Sequence, residues 1–345
     1  MIPANSRRKD KYTPRNVPQG KLATSAMIAS LDAEGRKTIA APFGHALVDM
    51  AKTRDDIVGL SADLSKYTDL HVFSEAYPDR FYQMGMAEAL LMSAAAGLAR
   101  EGFVPFATTY AVFAARRAYD FIAMAIAEEN LPVKICCALP GLTTGYGPSH
   151  QATEDLAIMR GMPNLTVVDP CDAVEIDQAT RAIADTPGPV YMRLLRGNVP
   201  NVLGEYGYSF QLGKAQVIRD GSDVLFISSG FMTMRALDTA TALAADGVSC
   251  AVLHSPTIKP LDAETIVTET QKGGRLVVTA ENHSITGGLG EAVAGALMRA
   301  RAHVSFRQIA LPDEFLDAGA LPTLHDQYGI SVERMTARVK AWLDG

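Results

Sequence analysis

The chain has 345 residues, of which 48% are hydrophobic and 20% are charged, and its formal net charge at pH 7 is −6. This composition is typical of a globular protein with about two domains, and the acidic balance disfavours a nucleic-acid partner, whose phosphates need a basic face. The sequence contains no apolar run long enough to span a membrane and no secretory signal, so we expect no membrane contact and a cytoplasmic location.

The first 36 residues are locally basic and rich in proline and polar side chains, which predicts an exposed arm. From residue 37 onward, short apolar or β-branched runs alternate with helical patterns. This alternation predicts the α/β class, with doubly wound, mostly parallel sheets covered by helices. In the first domain, residues 37–200, the predicted strands are 57–61, 81–84, 104–108, 133–139, 165–168 and 190–195. The predicted helices are 44–52, 87–100, 111–128, 154–160 and 173–184.

The segment 196–208 is rich in Gly, Pro and Asn, which predicts a linker, placed at residues 201–212, to a second α/β domain, residues 213–345. Its predicted strands are 215–219, 224–228, 249–253, 275–280 and 304–309. Its predicted helices are 232–245, 263–270, 290–301 and 332–343, with Ser331 as the N-cap of the last helix. The four cysteines show no Cys-x-x-Cys spacing and lie in apolar runs or beside a proline, so we expect buried thiols without disulfides or metal.

Glu88 is the most informative residue, because it lies in an otherwise apolar stretch and a buried carboxylate is costly without a partner. It is a candidate catalytic acid. The alternative is that Glu88 only occupies the first turn of a helix and interacts favourably with the helix dipole.

Other candidate residues follow the predicted strands, where ligands of open α/β folds bind. His150 lies in the Gly/Pro-rich loop 140–151 and is placed for proton or hydroxyl chemistry, or else caps the next helix. Tyr110 and Phe113 either stack on a flat ring or pack in the core. Asp63 is a ligand-binding or turn residue, and Arg196 either pairs with an anionic substrate group or lies at the surface.

The segment 281–290, Glu-Asn-His-Ser-Ile-Thr-Gly-Gly-Leu-Gly, connects a strand to a helix. The N–H groups at that helix N-terminus are a candidate anion site, although glycines for close helix packing are the simpler interpretation. The sequence has no dinucleotide fingerprint, Walker A motif, His-Glu-x-x-His or Gly-x-Ser-x-Gly, which disfavours the enzyme classes that use them.

Taken together, the segments resemble the C-terminal half of the transketolase family over nearly the whole chain from about residue 38. The matching pieces are Ser-Ala-Asp-Leu at 61–64, Arg-Phe at 80–81 with Met-Ala-Glu at 86–88, Thr-Tyr-Ala-Val-Phe at 109–113, Gly-Pro-Ser-His-Gln at 147–151, Arg-Gly-Asn-Val-Pro at 196–200, Ile-Lys-Pro-Leu-Asp at 258–262 and the segment 281–290. The resemblance implies a pyrimidine-binding domain followed by a transketolase C-terminal domain.

The resemblance also implies a thiamine-diphosphate enzyme that transfers a two-carbon ketol unit from a ketose or ketose phosphate to an aldose. Glu88 then corresponds to the glutamate that hydrogen-bonds the cofactor aminopyrimidine, Phe113 stacks on that ring, and Tyr110 and Asp63 lie on the cofactor side. His150 corresponds to a histidine near the substrate carbonyl and first hydroxyl, and Arg196 to an arginine that holds the substrate phosphate.

The family binds the cofactor diphosphate and Mg²⁺ through a Gly-Asp-Gly motif with a downstream Asn, and these 345 residues contain no such motif. The resemblance therefore implies a split enzyme whose partner subunit supplies that domain and holds most of the Mg²⁺ coordination, with no metal ligands on this chain. An α2β2 heterotetramer is the expected assembly, and we expect activity only in that complex.

Three positions depart from the family pattern and leave the sugar substrates open. Tyr146 replaces a carboxylate that contacts a sugar hydroxyl, Ala40 replaces a phosphate-binding arginine, and Ala138 replaces a histidine. Two alternatives also remain: the β subunit of a 2-oxo-acid dehydrogenase E1, and a catalytically silent binding subunit of the same fold. A deoxyxylulose-phosphate-synthase-like reaction is a lesser alternative.

Overall fold

The structure is a computed structural model and describes residues 35–344. All but the last two residues of the predicted basic arm, 1–36, therefore lie outside the described residues. The strands in chain order are β1 (Thr38–Ala40), β2 (Ile57–Ser61), β3 (Phe81–Gln83), β4 (Val104–Tyr110), β5 (Lys134–Ala138), β6 (Thr166–Val168), β7 (Val190–Leu194), β8 (Asn198–Pro200), β9 (Gln216–Arg219), β10 (Val224–Ser228), β11 (Cys250–His254), β12 (Thr257–Lys259), β13 (Leu276–Ser284) and β14 (Phe306–Leu311).

The helices are α1 (Pro42–Met50), α2 (His71–Ala76), α3 (Glu88–Arg100), α4 (Ala111–Arg117), α5 (Tyr119–Phe121), α6 (Asp155–Gly161), α7 (Ala173–Ala184), α8 (Met232–Ala244), α9 (Ala263–Thr270), α10 (Leu289–Arg299), α11 (Leu321–Gln327) and α12 (Val332–Asp344). Strands β2 and β10 and helices α7 and α9 have the predicted bounds. Ser331 is the N-cap of α12, because its hydroxyl accepts a hydrogen bond from the Arg334 N–H at 3.2 Å.

The first sheet has seven strands in the order β12-β6-β7-β5-β4-β2-β3, and all of them are parallel except β12. Strands β2, β4, β5 and β7 are buried along their whole length, as their continuous apolar sequences predict. Parallel strands end at the same edge of a sheet. The loops after these strands therefore lie side by side.

The second sheet has the order β14-β13-β10-β11-β9, with β9 antiparallel to β11 and the other pairs parallel. The α/β class and the two mostly parallel sheets are thus confirmed. Strand β12 comes from the second half of the sequence but pairs with β6 of the first sheet. The two halves of the chain are therefore joined by backbone pairing as well as by side chains.

A buried polar network also joins the halves. The Arg193 guanidinium donates to the Asp155 carboxylate from Nε at 2.9 Å and to the backbone oxygen of Asn282 at 3.2 Å. Asp169 lies 3.5 Å from Arg193 and accepts a hydrogen bond from the Ser229 hydroxyl at 2.8 Å. Because its partners come from both halves, Arg193 fixes their relative position.

Two sequence predictions meet details that periodicity does not show. The helix predicted over 111–128 is broken at Ala118, whose φ is −115°, and continues after α5 as a π-helical turn, Ile122–Ala127. The linker predicted over 201–212 packs along α7, where the Asp172 carboxylate accepts from the Val202 and Leu203 N–H groups.

All four cysteines are buried and unpaired, as predicted. Within residues 35–344, no helix is long and apolar enough to cross a membrane.

Candidate functional site

The first sheet brings the predicted site residues to its carboxyl edge. Glu88 is the first residue of α3, Tyr110 is the last residue of β4, and Phe113 lies one turn into α4. His150 lies in the loop after β5, residues 140–151, which we call the histidine loop. Arg196 follows β7. These five residues, from four separate segments of the sequence, thus share one edge because the strands before them are parallel.

Four rings form a cluster at this edge. The His150 ring centroid lies 5.4 Å from Phe113, 5.9 Å from Tyr110 and 5.0 Å from Tyr146. The centroids of Tyr110 and Phe113 are 5.6 Å apart. Tyr110 is buried in the core, whereas Phe113 is only partly buried. Tyr110 therefore packs in the core, whereas Phe113 keeps an accessible aromatic face, so each interpretation of this pair applies to one residue.

Glu88 lies beside this cluster with its side chain almost completely buried, since only 4% of the residue is exposed. Its carboxylate accepts a hydrogen bond from Arg117 Nη1 at 3.3 Å. The guanidinium carbon of Arg117 lies 4.0 Å from the centroid of Phe113. Burial alone does not distinguish Glu88 from a structural first-turn residue, because Asp155, the first residue of α6, is also fully buried. Arg117 therefore links the candidate acid to the candidate stacking ring.

The surroundings of His150 favour the neutral form of its imidazole. Burial, and secondarily the nearby Arg117 charge, lowers the pKa of its imidazole. The Ser149 hydroxyl lies 2.9 Å from His150 Nδ1. Helix α6 begins at Asp155, five residues further on, so His150 is not its N-cap and that alternative is wrong. A neutral imidazole can both donate and accept a hydrogen bond, which suits contact with a hydroxyl or carbonyl group.

Arg196 lies at the same edge among residues that the sequence did not single out. Its guanidinium carbon is 5.6 Å from the centroid of Tyr67. The neighbouring Asp69 carboxylate accepts two contacts from the Gly197 N–H, at 2.9 and 3.1 Å. Burial raises the pKa of Asp69 to about 6, and the positive charge of Arg196 opposes that rise. Arg196 therefore lies near an aromatic face, and its charge acts on a weakly acidic carboxyl group.

Asp63 lies at the end of β2, next to β3 in the sheet, and is not part of the ring contacts. Its side chain is exposed and its φ is 59°, in the left-handed region. The backbone N–H of Asp63 donates to the Gln83 side chain at 2.7 Å, which ties the ends of β2 and β3 together. Asp63 therefore lies on the loop after β2, next to the segment after β3 that leads to Glu88.

The helix N-terminus at 289–290 is already occupied by a carboxylate of the chain itself. Glu281 accepts hydrogen bonds from the N–H groups of Leu289 at 2.5 Å and Gly290 at 2.8 Å, and its burial raises its pKa to about 7. A Cβ at Gly288 would lie 1.9 Å from that carboxylate. The anion-site hypothesis for this helix is therefore wrong, and close packing explains the glycine.

Arg117 is the site contact that sequence reasoning missed. It lies four residues after Phe113 on α4, and this spacing places the two side chains on one helix face. The spacing was visible in the sequence, whereas the contact of Arg117 with Glu88 depends on the packing of α3 against α4. Tyr67 and Asp69 gave no comparable signal, because their contact with the segment after β7 is long-range.

The side chains at this edge suit a flat heteroaromatic ligand better than a metal ion. A buried carboxylate next to partly accessible aromatic faces can hydrogen-bond a ring nitrogen while the ring stacks. In the described part of the chain, no group of three or more His, Cys, Asp and Glu side chains is arranged to hold a metal.

Comparison with known proteins gives the same two units. The sequence matches the family model described as "Transketolase, pyrimidine binding domain" over residues 36–202, and "Transketolase, C-terminal domain" over residues 213–335. A relative from Sinorhizobium fredii, a putative uncharacterized transketolase family protein y4mN, is 67% identical over 330 residues, covering 95% of this chain and 96% of the relative.

Two further similarities concern split enzymes or subunits. A 6-deoxy-6-sulfo-D-fructose transketolase subunit from Clostridium sp. is 37% identical over 290 residues, covering 84% of this chain and 89% of that subunit. A solved structure described as a split gene transketolase, inactive beta4 tetramer, is 38% identical with a TM-score of 0.80, and the match covers 89% of this chain and 99% of that one.

Proposed function

This chain belongs to the transketolase family, and we propose that it is one subunit of a split, thiamine-diphosphate-dependent transketolase. The proposed reaction transfers a two-carbon ketol unit from a ketose or ketose phosphate to an aldose. The observation that carries the proposal is the buried Glu88 carboxylate beside the Phe113 ring, at the carboxyl edge of a parallel sheet.

The residues present fit the pyrimidine half of thiamine diphosphate. When bound, that cofactor would supply a thiazolium ring whose carbon is the nucleophile toward the donor carbonyl and whose positive charge takes up the electron pair of the C–C bond that breaks. Glu88 would hydrogen-bond the pyrimidine nitrogen, Phe113 would stack on the ring and Tyr110 would close the pocket behind it. The Arg117 side chain is 55% exposed and lies over Phe113, so we expect it to move aside when a ring stacks there.

The other residues of the edge have proposed roles toward the cofactor and the sugar. His150, neutral and in contact with Phe113, would orient the donor carbonyl or first hydroxyl and exchange a proton with it. Arg196 would hold the charged end of the substrate. Asp63, on the loop next to Glu88, would lie on the cofactor side.

An exposed apolar surface around Glu88 supports the need for a second subunit. Met86 and Leu90 flank Glu88 and are 81% and 55% exposed, and Met124 on the neighbouring π-helical turn is 61% exposed. This turn packs against α3, which carries Leu90 and begins two residues after Met86. Exposed apolar clusters of this kind mark interaction surfaces. The partner would carry the Gly-Asp-Gly domain for the diphosphate and Mg²⁺, in an α2β2 complex.

The similar split-gene chain described as an inactive β4 tetramer supports this arrangement. The test is to co-express this chain with the product of an adjacent reading frame that carries Gly-Asp-Gly, and to assay ketol transfer with thiamine diphosphate and Mg²⁺. In the complex, Glu88→Gln should lose about 10²-fold or more in turnover, the usual scale for proton-transfer groups.

Glu264→Gln is the matched control. Glu264 also lies in a helix first turn, that of α9, but its side chain is exposed. It should leave turnover unchanged. Wild-type turnover in Glu88→Gln would remove Glu88 from the mechanism, and absence of transfer in the wild-type complex would favour a catalytically silent subunit.

A further inference from the structure

We propose that Asn282 is a positioning residue through which the C-terminal half of the chain holds the histidine loop, and thereby His150, in place. Asn282 lies in β13 and only 2% of it is exposed. Its side-chain Nδ2 donates to the Pro140 backbone oxygen at 3.1 Å, and its Oδ1 accepts from the Leu142 N–H at 2.9 Å. The amide thus pairs with the loop as another peptide group would.

Gly141, between those two loop residues, is required for this close approach. Its φ is +55°, and a Cβ there would lie 2.2 Å from the backbone oxygen of Asn282 and 2.5 Å from Asn282 Nδ2. A residue with a side chain would therefore separate Asn282 from the loop. The glycine that looks like a turn residue in the sequence serves contact between the two halves of the chain.

The residues on either side of Asn282 are themselves fixed. Glu281 caps the N-terminus of α10, as described above. His283 Nε2 accepts a hydrogen bond from the Ala157 N–H of α6 at 3.2 Å, and its Nδ1 donates to the Ser284 backbone oxygen at 2.8 Å. Asn282 therefore reaches the loop from a rigid strand rather than from a mobile segment.

The same half of the chain also contacts the loop farther along. His325 Nε2 donates to the Leu142 backbone oxygen at 2.9 Å, and the Gly319 N–H donates to Gly145 oxygen at 3.0 Å. At the end of the loop, Gln151 Nε2 donates to the Asp317 backbone oxygen at 3.1 Å. The C-terminal half thus holds the start, middle and end of the loop.

His150 itself faces the first half of the chain. Its ring contacts are Phe113, Tyr110 and Tyr146, and Arg117 is the charged group that acts on it. From the first half, Arg116 also donates to the Pro148 backbone oxygen at 2.8 Å. The C-terminal half therefore sets the position of His150 through the loop backbone, and Asn282 is the side chain that satisfies two buried backbone groups of that loop at once.

The test compares Asn282→Ala with Ser229→Ala in the full chain. Ser229→Ala removes a hydrogen bond between the halves, to Asp169, that does not involve the loop. The histidines are labelled with ¹³C, the His150 signal is assigned with His150→Gln, and its pKa is measured by NMR titration. Because burial is the main cause that lowers this pKa, Asn282→Ala should raise it measurably toward its ordinary value near 6.5, while Ser229→Ala leaves it unchanged.

The catalytic readout rests on the proposed function and uses the complex with the partner subunit. A displacement of about 1 Å costs as much as 10²-fold in rate, so kcat should fall by about tenfold or more in Asn282→Ala while the circular dichroism spectrum stays the same. If Asn282→Ala does not fold, Asn282→Asp, which has the same shape but cannot donate to Pro140, replaces it with the same expectation.

An unchanged His150 titration in the folded variant overturns the proposal, as does an equal shift in Ser229→Ala. The titration needs neither partner nor cofactor. Absence of ketol transfer in the wild-type complex would therefore contradict the proposed function without affecting this result.

Discussion

Two buried carboxylates of this protein, Asp155 and Glu88, lie in opposite surroundings. Asp155 accepts hydrogen bonds from Arg193 Nε at 2.9 Å and from the Tyr191 hydroxyl at 2.6 Å, and Arg193 is only 1% exposed. Glu88 is nearly as buried, but within residues 35–344 its carboxylate accepts only a hydrogen bond of 3.3 Å from the half-exposed Arg117. Burial alone therefore does not mark a functional acid, and we base the proposed role of Glu88 on burial combined with unused hydrogen-bonding capacity.

The largest predicted effect concerns the well-paired region. Arg193→Met should lower the free energy of unfolding by about 3–5 kcal/mol, because it leaves Asp155 and Asp169 buried without their cation. Denaturant unfolding followed by circular dichroism measures this change. The control is Arg334→Gln, which removes an exposed ion pair with Asp326 and should leave stability nearly unchanged. Equal stabilities of the two variants would contradict the structural role assigned to Arg193.

The second prediction uses the pH dependence of the same region. Burial lowers the pKa of His283 to about 4, from about 6.5 in the unfolded chain, and its neutral form accepts the Ala157 N–H. Between these values only the unfolded chain binds the proton, so this contribution to stability is present above pH 6.5 and is lost as the pH falls toward 4.

His283→Gln should therefore reduce the loss of stability with falling pH by up to about 1.4 kcal/mol per pH unit. Unfolding curves at pH 6.5, 5.5 and 4.5 for both proteins measure the difference in slope. Glu281 has the opposite pH dependence, because burial raises its pKa to about 7 in the folded chain. This contribution is present in both proteins and cancels in the difference between their slopes. Parallel pH profiles would contradict a buried neutral His283.

The smallest predicted effect is on stability at the site itself. Glu88→Gln should change the free energy of unfolding by less than about 1 kcal/mol, or should stabilise the chain, because it replaces a poorly paired buried carboxyl group with an amide of the same size. Thermal unfolding at neutral pH checks this. A loss as large as that of Arg193→Met would show that Glu88 is structural and would remove the contrast between the two regions.

Part of the fold and of the candidate site follows from local sequence, and the rest depends on long-range packing. Continuous apolar runs predicted β2 and β10 with correct bounds, and the parallel-sheet rule predicted that the loop with His150 lies at the carboxyl edge of the sheet, where its ring meets Tyr110. Periodicity could not show the break at Ala118, because both flanking segments keep a helical pattern.

Contacts between segments that are distant in the sequence could not be predicted from local sequence patterns. Strand β12 joins the sheet of the other half, and the Asn282 amide meets a loop about 140 residues earlier in the sequence. Such contacts depend on how the two halves approach each other. Local propensity carries no information about that approach, although Gly141 marks where it occurs.

The most direct test of the central claim is calorimetric titration of thiamine diphosphate with Mg²⁺ into three samples: this chain alone, its complex with the partner subunit, and the complex that carries Glu88→Gln. We predict saturable binding only in the wild-type complex, with strongly weakened binding in the variant. Saturable binding and sugar turnover by this chain alone would contradict the account, because the site would then be complete without a second subunit.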